Sequence, residues 1–312
     1  MCDIEEMARS HSRASGFLAC AAAGTFWGMG FYFGKIALAE MAVGHMVFYR
    51  FLFATLAMVP VVLTRRPGLS RSGWGTLLLG TFLGIPLQFL LQFKGLSLTT
   101  VSHAALMVGT MPVILAVGAT LFAHERLDWI GWASLAVSTT GAALIAAGGR
   151  HSHAAGDPTL AGDLLVVLSL LIALFWVLCN KRLMGNHSAL VVTAYGLMSG
   201  MLMLCLIVPA MYGLPPVHGV SLKAWLALAA SGLLCTAAST FLWNYGIAHI
   251  PASQAGVFLN MEPLMGSILG VTLLKETLGP TGITGGILIL MAAVTLTTKS
   301  RARVKEPDCI PT

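Results

Sequence analysis

The chain has 312 residues, of which 57% are hydrophobic and only 10% charged. Soluble domains carry roughly 25% charged residues, so this chain cannot cover a water-facing surface, and lipid is its expected solvent. The net charge of +6 sits in short clusters beside apolar runs. No basic stripe interleaved with aromatics is present, which argues against nucleic acid as a partner and fits the positive bias of membrane loops.

A spanning helix needs about 20 mostly apolar residues. Taken in chain order, ten windows meet that need: Phe17–Leu38, His45–Leu63, Trp74–Phe93, Val101–Phe122, Trp129–Gly148, Asp163–Asn180, Leu190–Met211, Leu222–Ile247, Pro251–Leu274 and Gly279–Thr298. Helices are expected throughout, because each satisfies its own backbone in lipid. The first window is long and followed by others, so it reads as a retained helix and not a cleaved signal. The linkers are short. The longest, Gly149 to Gly162, divides the chain in half. The tail after Lys299 is polar and reads as disordered. Of the six cysteines, four lie inside apolar runs and none forms a C-x-x-C pair, so they read as packing residues.

The charges orient the chain. With a cytoplasmic N-terminus, twelve of the 18 Lys and Arg lie inside: Arg9, Arg13, Arg65, Arg66, Arg71, Arg126, Lys181, Arg182, Lys299, Arg301, Arg303 and Lys305. Four lie outside (Lys94, Arg150, Lys223 and Lys275), and Lys35 and Arg50 fall within helices. This bias predicts a multi-pass protein of the cell inner membrane with both termini cytoplasmic.

A shift of 151 positions aligns the chain with itself. Gly95 meets Gly246, Ser102 meets Ser253, Pro112 meets Pro263, Glu125 meets Glu276 and Gly131 meets Gly282. Phe26-Trp27 reappears as Phe175-Trp176. Each half holds five predicted helices, an odd number, so the second half enters the membrane from the opposite side. The expected fold is all-α and integral to the membrane, with ten transmembrane helices as two inverted five-helix repeats, over residues 17–148 and 160–298. Secondary transporters commonly use inverted repeats to expose one central site to either side in turn.

Several segments carry a family resemblance. They are Phe26-Trp27-Gly28 with Lys35, then Arg50, then Met111-Pro112 leading to Glu125-Arg126. The second copy has Glu262-Pro263 leading to Lys275-Glu276-Thr277-Leu278. From Phe17 to Thr298 the chain resembles the EamA-type carriers of the drug/metabolite transporter superfamily. The resemblance implies ten helices, a central cavity and transport of small organic solutes, amino acids among them. Lys94 stands where the matching half has Asn244-Tyr245, a departure that puts a symmetric site in doubt.

Ionisable groups inside membrane helices are costly, and therefore suspect as functional. Glu262 lies near the middle of the ninth window, on a face with Gly266 and Gly270. It reads as a proton carrier, a binder of a substrate ammonium, or a structural carboxylate paired with a buried donor. Arg50 suits a substrate carboxylate, or snorkels structurally to the interface, as Lys35 does. Gln88 and Gln92 share one helix face, and Thr236, Thr240 and Asn244 another. These two faces either line a common cavity or bond between helices. Trp27 and Trp176 stack on a substrate or pack, with Asn180 on the Trp176 face. His103, matched by Gln254, reads as packing or as a proton relay. Glu125 and Glu276 end matching helices and are expected to cap or pair near the interface. His151 and His153 lack a third ligand, and no metal or cofactor is expected.

The function these features predict is secondary active transport of a small organic metabolite, an amino acid or related compound, with efflux the expected direction. The partners are that solute, the bilayer and, if Glu262 couples transport, protons. The protein is a monomer or homodimer on this reading. A proton-coupled exporter of cationic drugs is the alternative. No Walker A sequence is present. An integral-membrane enzyme is disfavoured, because neither H-E-x-x-H nor G-x-S-x-G occurs.

Overall fold

The computed structural model describes residues 2–96, 98, 108–122, 124–148, 160–274, 279–299 and 303–304. Among the described residues the regular structure is helical, apart from a two-residue antiparallel bridge between Glu125–Arg126 and Arg303–Val304. In the first half the helices are α1 (Cys2–Leu38), α2 (Val43–Thr64), α3 (Arg71–Phe82), α4 (Gln88–Leu96), α5 (Met111–Phe122) and α6 (Trp129–Gly148). The second half has α7 (Leu160–Met184), α8 (Ala189–Tyr212), α9 (Leu222–Gly232), α10 (Ser239–His249), α11 (Ala252–Ala255), α12 (Met261–Leu274) and α13 (Pro280–Lys299).

Each of the ten predicted windows contains helix. Among the described residues, seven helical segments are long and apolar enough to cross a membrane: Ser12–Leu38, Val43–Thr64, Arg71–Gly95, Leu160–Met184, Ala189–Tyr212, Leu222–His249 and Pro280–Lys299. Helix α5 is apolar but shorter. The starts are set locally by caps that occupy otherwise orphaned N–H groups. Ser70 accepts from Gly73 N, Ser188 from Val191 N and Ser221 from Ala224 N.

Two predicted helices are interrupted by π-turns. Leu83–Leu87 joins α3 to α4 and contains Pro86, and Leu233–Ala238 joins α9 to α10. A π-turn shifts the backbone pairing by one residue and often marks a functional site. The ninth window is broken differently. After α11 the chain runs as a 3-10 segment, Gly256–Asn260, before α12 begins.

The distribution of side chains is that of a protein in lipid. Large apolar residues cover the outside, Leu206 being 77% exposed and Leu63 and Val294 also outward. Polar groups such as Ser138, Ser169, Asn244 and Asn260 are buried. Without water to drive apolar faces together, packing depends on close backbone approach at small residues. Helix α6 packs along α13 at Gly141, where an added Cβ would lie 2.6 Å from Gly285 O. Helix α2 packs on α8. Helix α1 lies against α9, α10 and α12, while α7 lies against α3, α4 and α5. Helix α9 also packs on α2, and α3 on α8. Contacts between the two halves of the chain therefore dominate the interior.

Candidate functional site

Where α1, α2, α4, α9, α10 and α12 meet, the interior holds, among the described residues, the charged side chains Arg50 and Glu262. Helix α1 runs past both, at Gly28 and Gly30. An added Cβ on Gly28 would lie 2.5 Å from Glu262 O, and one on Gly30 would lie 3.6 Å from Arg50 Nη2. Gly28 is needed for its approach, because a Cβ there would overlap the Glu262 backbone, whereas one at Gly30 would meet Arg50 at ordinary contact distance.

Arg50 is buried and held on several sides. Its Nε donates to Thr236 Oγ1 at 2.6 Å, and its Nη2 donates to Cys235 O at 2.8 Å. The second π-turn makes these bonds available. Ser239 N–H reaches back to Leu234 O, so the Cys235 carbonyl loses its usual α-helical donor and receives the guanidinium instead. Thr236 in turn donates to Ser231 O at 3.1 Å, a five-residue step along the same turn. The guanidinium carbon stands 5.6 Å from the centroid of the Phe89 ring, a cation–π arrangement. Phe89 lies just after the first π-turn, so both π-turns border Arg50.

Glu262 occupies the first turn of α12, followed by Pro263. It is partly accessible although it lies deep in the protein. Arg50 is its electrostatic neighbour. The two form no ion pair within 4 Å, and the Glu262 carboxylate makes no hydrogen bond among the described residues.

The remaining sequence candidates fall around this pair. Asn180 and Asn244 are buried and joined. Asn180 Nδ2 donates to Asn244 Oδ1 at 3.2 Å, and Asn244 Nδ2 donates to Thr193 Oγ1 at 2.9 Å. This chain of bonds ties α7, α10 and α8 together. Trp27 is half-buried and stacks at a tilt on Trp243, with centroids 5.3 Å apart. Trp176 packs against Gly84 in the first π-turn. Gln88 and Gln92 are half-buried on α4. Among the described residues, the structure brings Thr236 to Arg50 and Asn244 to Asn180, so the predicted polar face of the eighth window serves two separate bonding groups. His103, Glu276, His151, His153 and the side chain of Lys35 lie outside the described residues.

A second buried carboxylate sits away from this pair, at the chain's turn from α5 to α6. Glu125 accepts from Ala252 N at 3.1 Å and Ser253 N at 2.9 Å, and Lys181 Nζ lies 2.6 Å from its Oε1. Lys181 also donates to Ile250 O at 3.3 Å. Both the expected cap and the expected pair are present at once. Burial by itself would raise the Glu125 carboxyl, but the Lys181 charge and the Ser253 bonds outweigh it and hold the group below its ordinary value. Sequence reasoning missed Phe89, Thr193 and the Cys235 carbonyl. The one available signal was the 151-position shift, which places Leu83–Leu87 on residues 234–238.

Comparison with known proteins identifies the chain. The model of the EamA-like transporter family matches residues 14–147 and again 160–298. The chain belongs to the EamA-like transporter family. An uncharacterized transporter of Archaeoglobus fulgidus is 28% identical over 279 residues, covering 87% of this chain and 93% of that one. A probable terminal-alkyne amino-acid exporter of Streptantibioticus cattleyicolor is 25% identical over 206 residues, covering 65% of this chain and 66% of that one. The biotin transporter of Escherichia coli is 26% identical over 267 residues, covering 85% of this chain and 87% of that one. A solved crystal structure shares the fold, with a TM-score of 0.76 at 16% identity over 91% of this chain and 96% of that one. Membership in the EamA-like family, together with the apolar helices, makes the protein an integral membrane transporter of small molecules. The family and the names of its relatives point to transport and not to enzymatic chemistry.

Proposed function

We propose that the protein is a secondary active carrier that moves a small amino acid or related metabolite out across the cell inner membrane. The observation that carries this reading is the pair of Arg50, buried, and Glu262, partly accessible, set where helices of both halves meet and unjoined by an ion pair. Structural charges in a membrane are normally paired; here each retains bonding capacity for a solute.

The reading includes ten spans, arranged as two inverted five-helix repeats over residues 17–148 and 160–298. Helix packing supports it. Replace each helix by the one that follows it by about 150 positions, so that α1 becomes α7, α2 becomes α8, α3 becomes α9, α4 becomes α10, α5 becomes α12 and α6 becomes α13. The pairs α1 with α10, α9 and α12 become α7 with α4, α3 and α5. The α2–α8 and α6–α13 pairs map onto themselves. A contact pattern that survives this exchange is what two interlocked repeats produce. Both termini are cytoplasmic on this reading, which the excess of Lys and Arg supports.

Glu262, Arg50, Trp27, Trp176, Gln88, Gln92, Asn180, Asn244 and His103 are the proposed substrate and coupling residues, with Glu262 the proposed proton carrier. The identity of one relative as a probable amino-acid exporter supports the substrate class and the direction. A carrier for cationic drugs is the second reading, favoured by the unbonded Glu262 carboxylate. Arg50 beside it weighs against that reading, because a cation entering the site would meet a like charge.

Two experiments test the proposal. Reporter fusions at residue 155 and at the C-terminus are expected to place the central linker outside and the C-terminus inside; a cytoplasmic residue 155 sinks the inverted arrangement. Cells with and without the protein are compared for extracellular amino acids. Unchanged levels of every amino acid would overturn the substrate class.

A further inference from the structure

We propose that Arg50 and Glu262 form the two ends of a clamp for a zwitterion, the guanidinium taking the solute's carboxylate and Glu262 taking its ammonium. This rests on the carrier reading above and narrows it to solutes bearing both charges close together, such as free α-amino acids.

The argument is one of bonding capacity and position. A guanidinium has five N–H donors and no acceptor. Arg50 uses one on Nε and one on Nη2, and three are left. A carboxylate has about four acceptor positions, and Glu262 uses none among the described residues. A buried charge left without hydrogen bonds is strongly unfavourable. The simplest cure would be for the two to join directly, yet they do not approach within 4 Å.

What keeps them apart is visible. Thr236 Oγ1 and Cys235 O hold Arg50 from the second π-turn, and the face of Phe89 lies over its guanidinium. Glu262 is held by its backbone, which is pressed against Gly28 of α1. The pair is thus preorganised and separated, which lowers the ordering cost of binding. A solute with only a carboxylate leaves Glu262 bare, and one with only an amine faces Arg50. A zwitterion satisfies both ends and adds no net charge to the interior.

The test uses purified full-length protein in proteoliposomes. Exchange of labelled free L-amino acids is measured against their N-acetyl derivatives, their methyl esters, biotin as a carboxylate lacking an amine, and ethidium as a cation lacking a carboxylate. At least one free amino acid is expected to exchange, with both of its blocked forms at least about tenfold weaker as competitors. Glu262→Gln is expected to abolish the preference for the free amine over the N-acetyl form, while the methyl ester is still rejected. Arg50→Gln is expected to do the reverse. Size-exclusion profiles check that both variants fold; should either fail, the wild-type comparison of free and blocked forms decides by itself. Equal exchange of free and blocked forms, or none by any free amino acid, overturns the clamp. Flux of biotin or ethidium in that case leaves the carrier reading standing, whereas no flux of any solute removes both.

Discussion

Glu125 and Glu262 are both carboxylates set into apolar surroundings, and the protein treats them in opposite ways. Glu125 is saturated: two backbone N–H groups at the start of α11 and the Lys181 ammonium surround it. Those N–H groups also carry the positive end of a helix dipole. Glu262 has Arg50 and the Cys235 thiol as electrostatic neighbours and no hydrogen bond among the described residues. The first arrangement closes a joint between the two halves of the chain. The second leaves capacity for something that comes and goes. Residue type and membrane context are alike; the partners make the difference.

The largest expected effect on stability lies on the saturated side. Glu125→Ala removes one member of a pair and uncaps α11, which is expected to cost about 3 kcal/mol, toward the low end for a buried pair because Lys181 is a quarter exposed. Thermal unfolding in detergent measures it; an unchanged Tm would show that the joint does not hold the halves together. The same group sets a pH dependence. Its carboxyl lies lower in the folded protein than its ordinary 4.5, so its contribution is complete above that value and declines as pH falls below it. The Tm advantage of wild type over Glu125→Gln is therefore expected to shrink below about pH 4.5. A constant advantage down to acid would contradict the assignment.

Next comes the backbone approach that positions the open carboxylate. Gly28→Ala places a methyl 2.5 Å from Glu262 O, and the resulting shift of α1 is expected to cost about 2 kcal/mol, more than the roughly 1 kcal/mol that alanine gains in a helix. Gly34→Ala is the control, because among the described residues nothing lies within 4 Å of its added Cβ. Equal Tm values for the two variants would remove the close-packing argument. Smaller still is Asn244→Leu, which breaks two bonds in the Asn180–Asn244–Thr193 chain and is expected to cost roughly 1 kcal/mol, the ordinary scale for polar contacts within a membrane. The smallest change is expected for Glu262→Gln. It removes a carboxylate that makes no hydrogen bond among the described residues and is opposed only at a distance by Arg50, so the Tm should hold or rise while exchange of amino acids falls. A large loss of stability would make Glu262 a second structural carboxylate and erase the contrast with Glu125.

The helix positions were legible in the sequence because each apolar run must bury its own backbone bonds, a requirement that acts within one segment. Arg50 and Glu262 were legible as suspects for a related reason: charge in an apolar run is costly wherever the run ends up. Their bonding states were not. Arg50 takes its partners 185 and 186 positions away, and a buried partner at that distance leaves no local pattern. Glu125 was expected to cap or pair, but the helix it caps lies 127 positions on. The π-turns were missed altogether. A one-residue change in hydrogen-bond register leaves apolar periodicity nearly intact over a short segment, and of the two turns only the first carries a proline, Pro86.

By itself, then, the sequence determined that this is a helical membrane protein with a self-similar pattern and charges set inside its helices, Arg50 and Glu262 among them, because lipid imposes its constraints residue by residue along each helix. Only the tertiary structure decided which charge is satisfied and which is left open. Hydrogen bonding is a matter of two groups meeting in space, and the groups that meet here come from opposite halves of the chain.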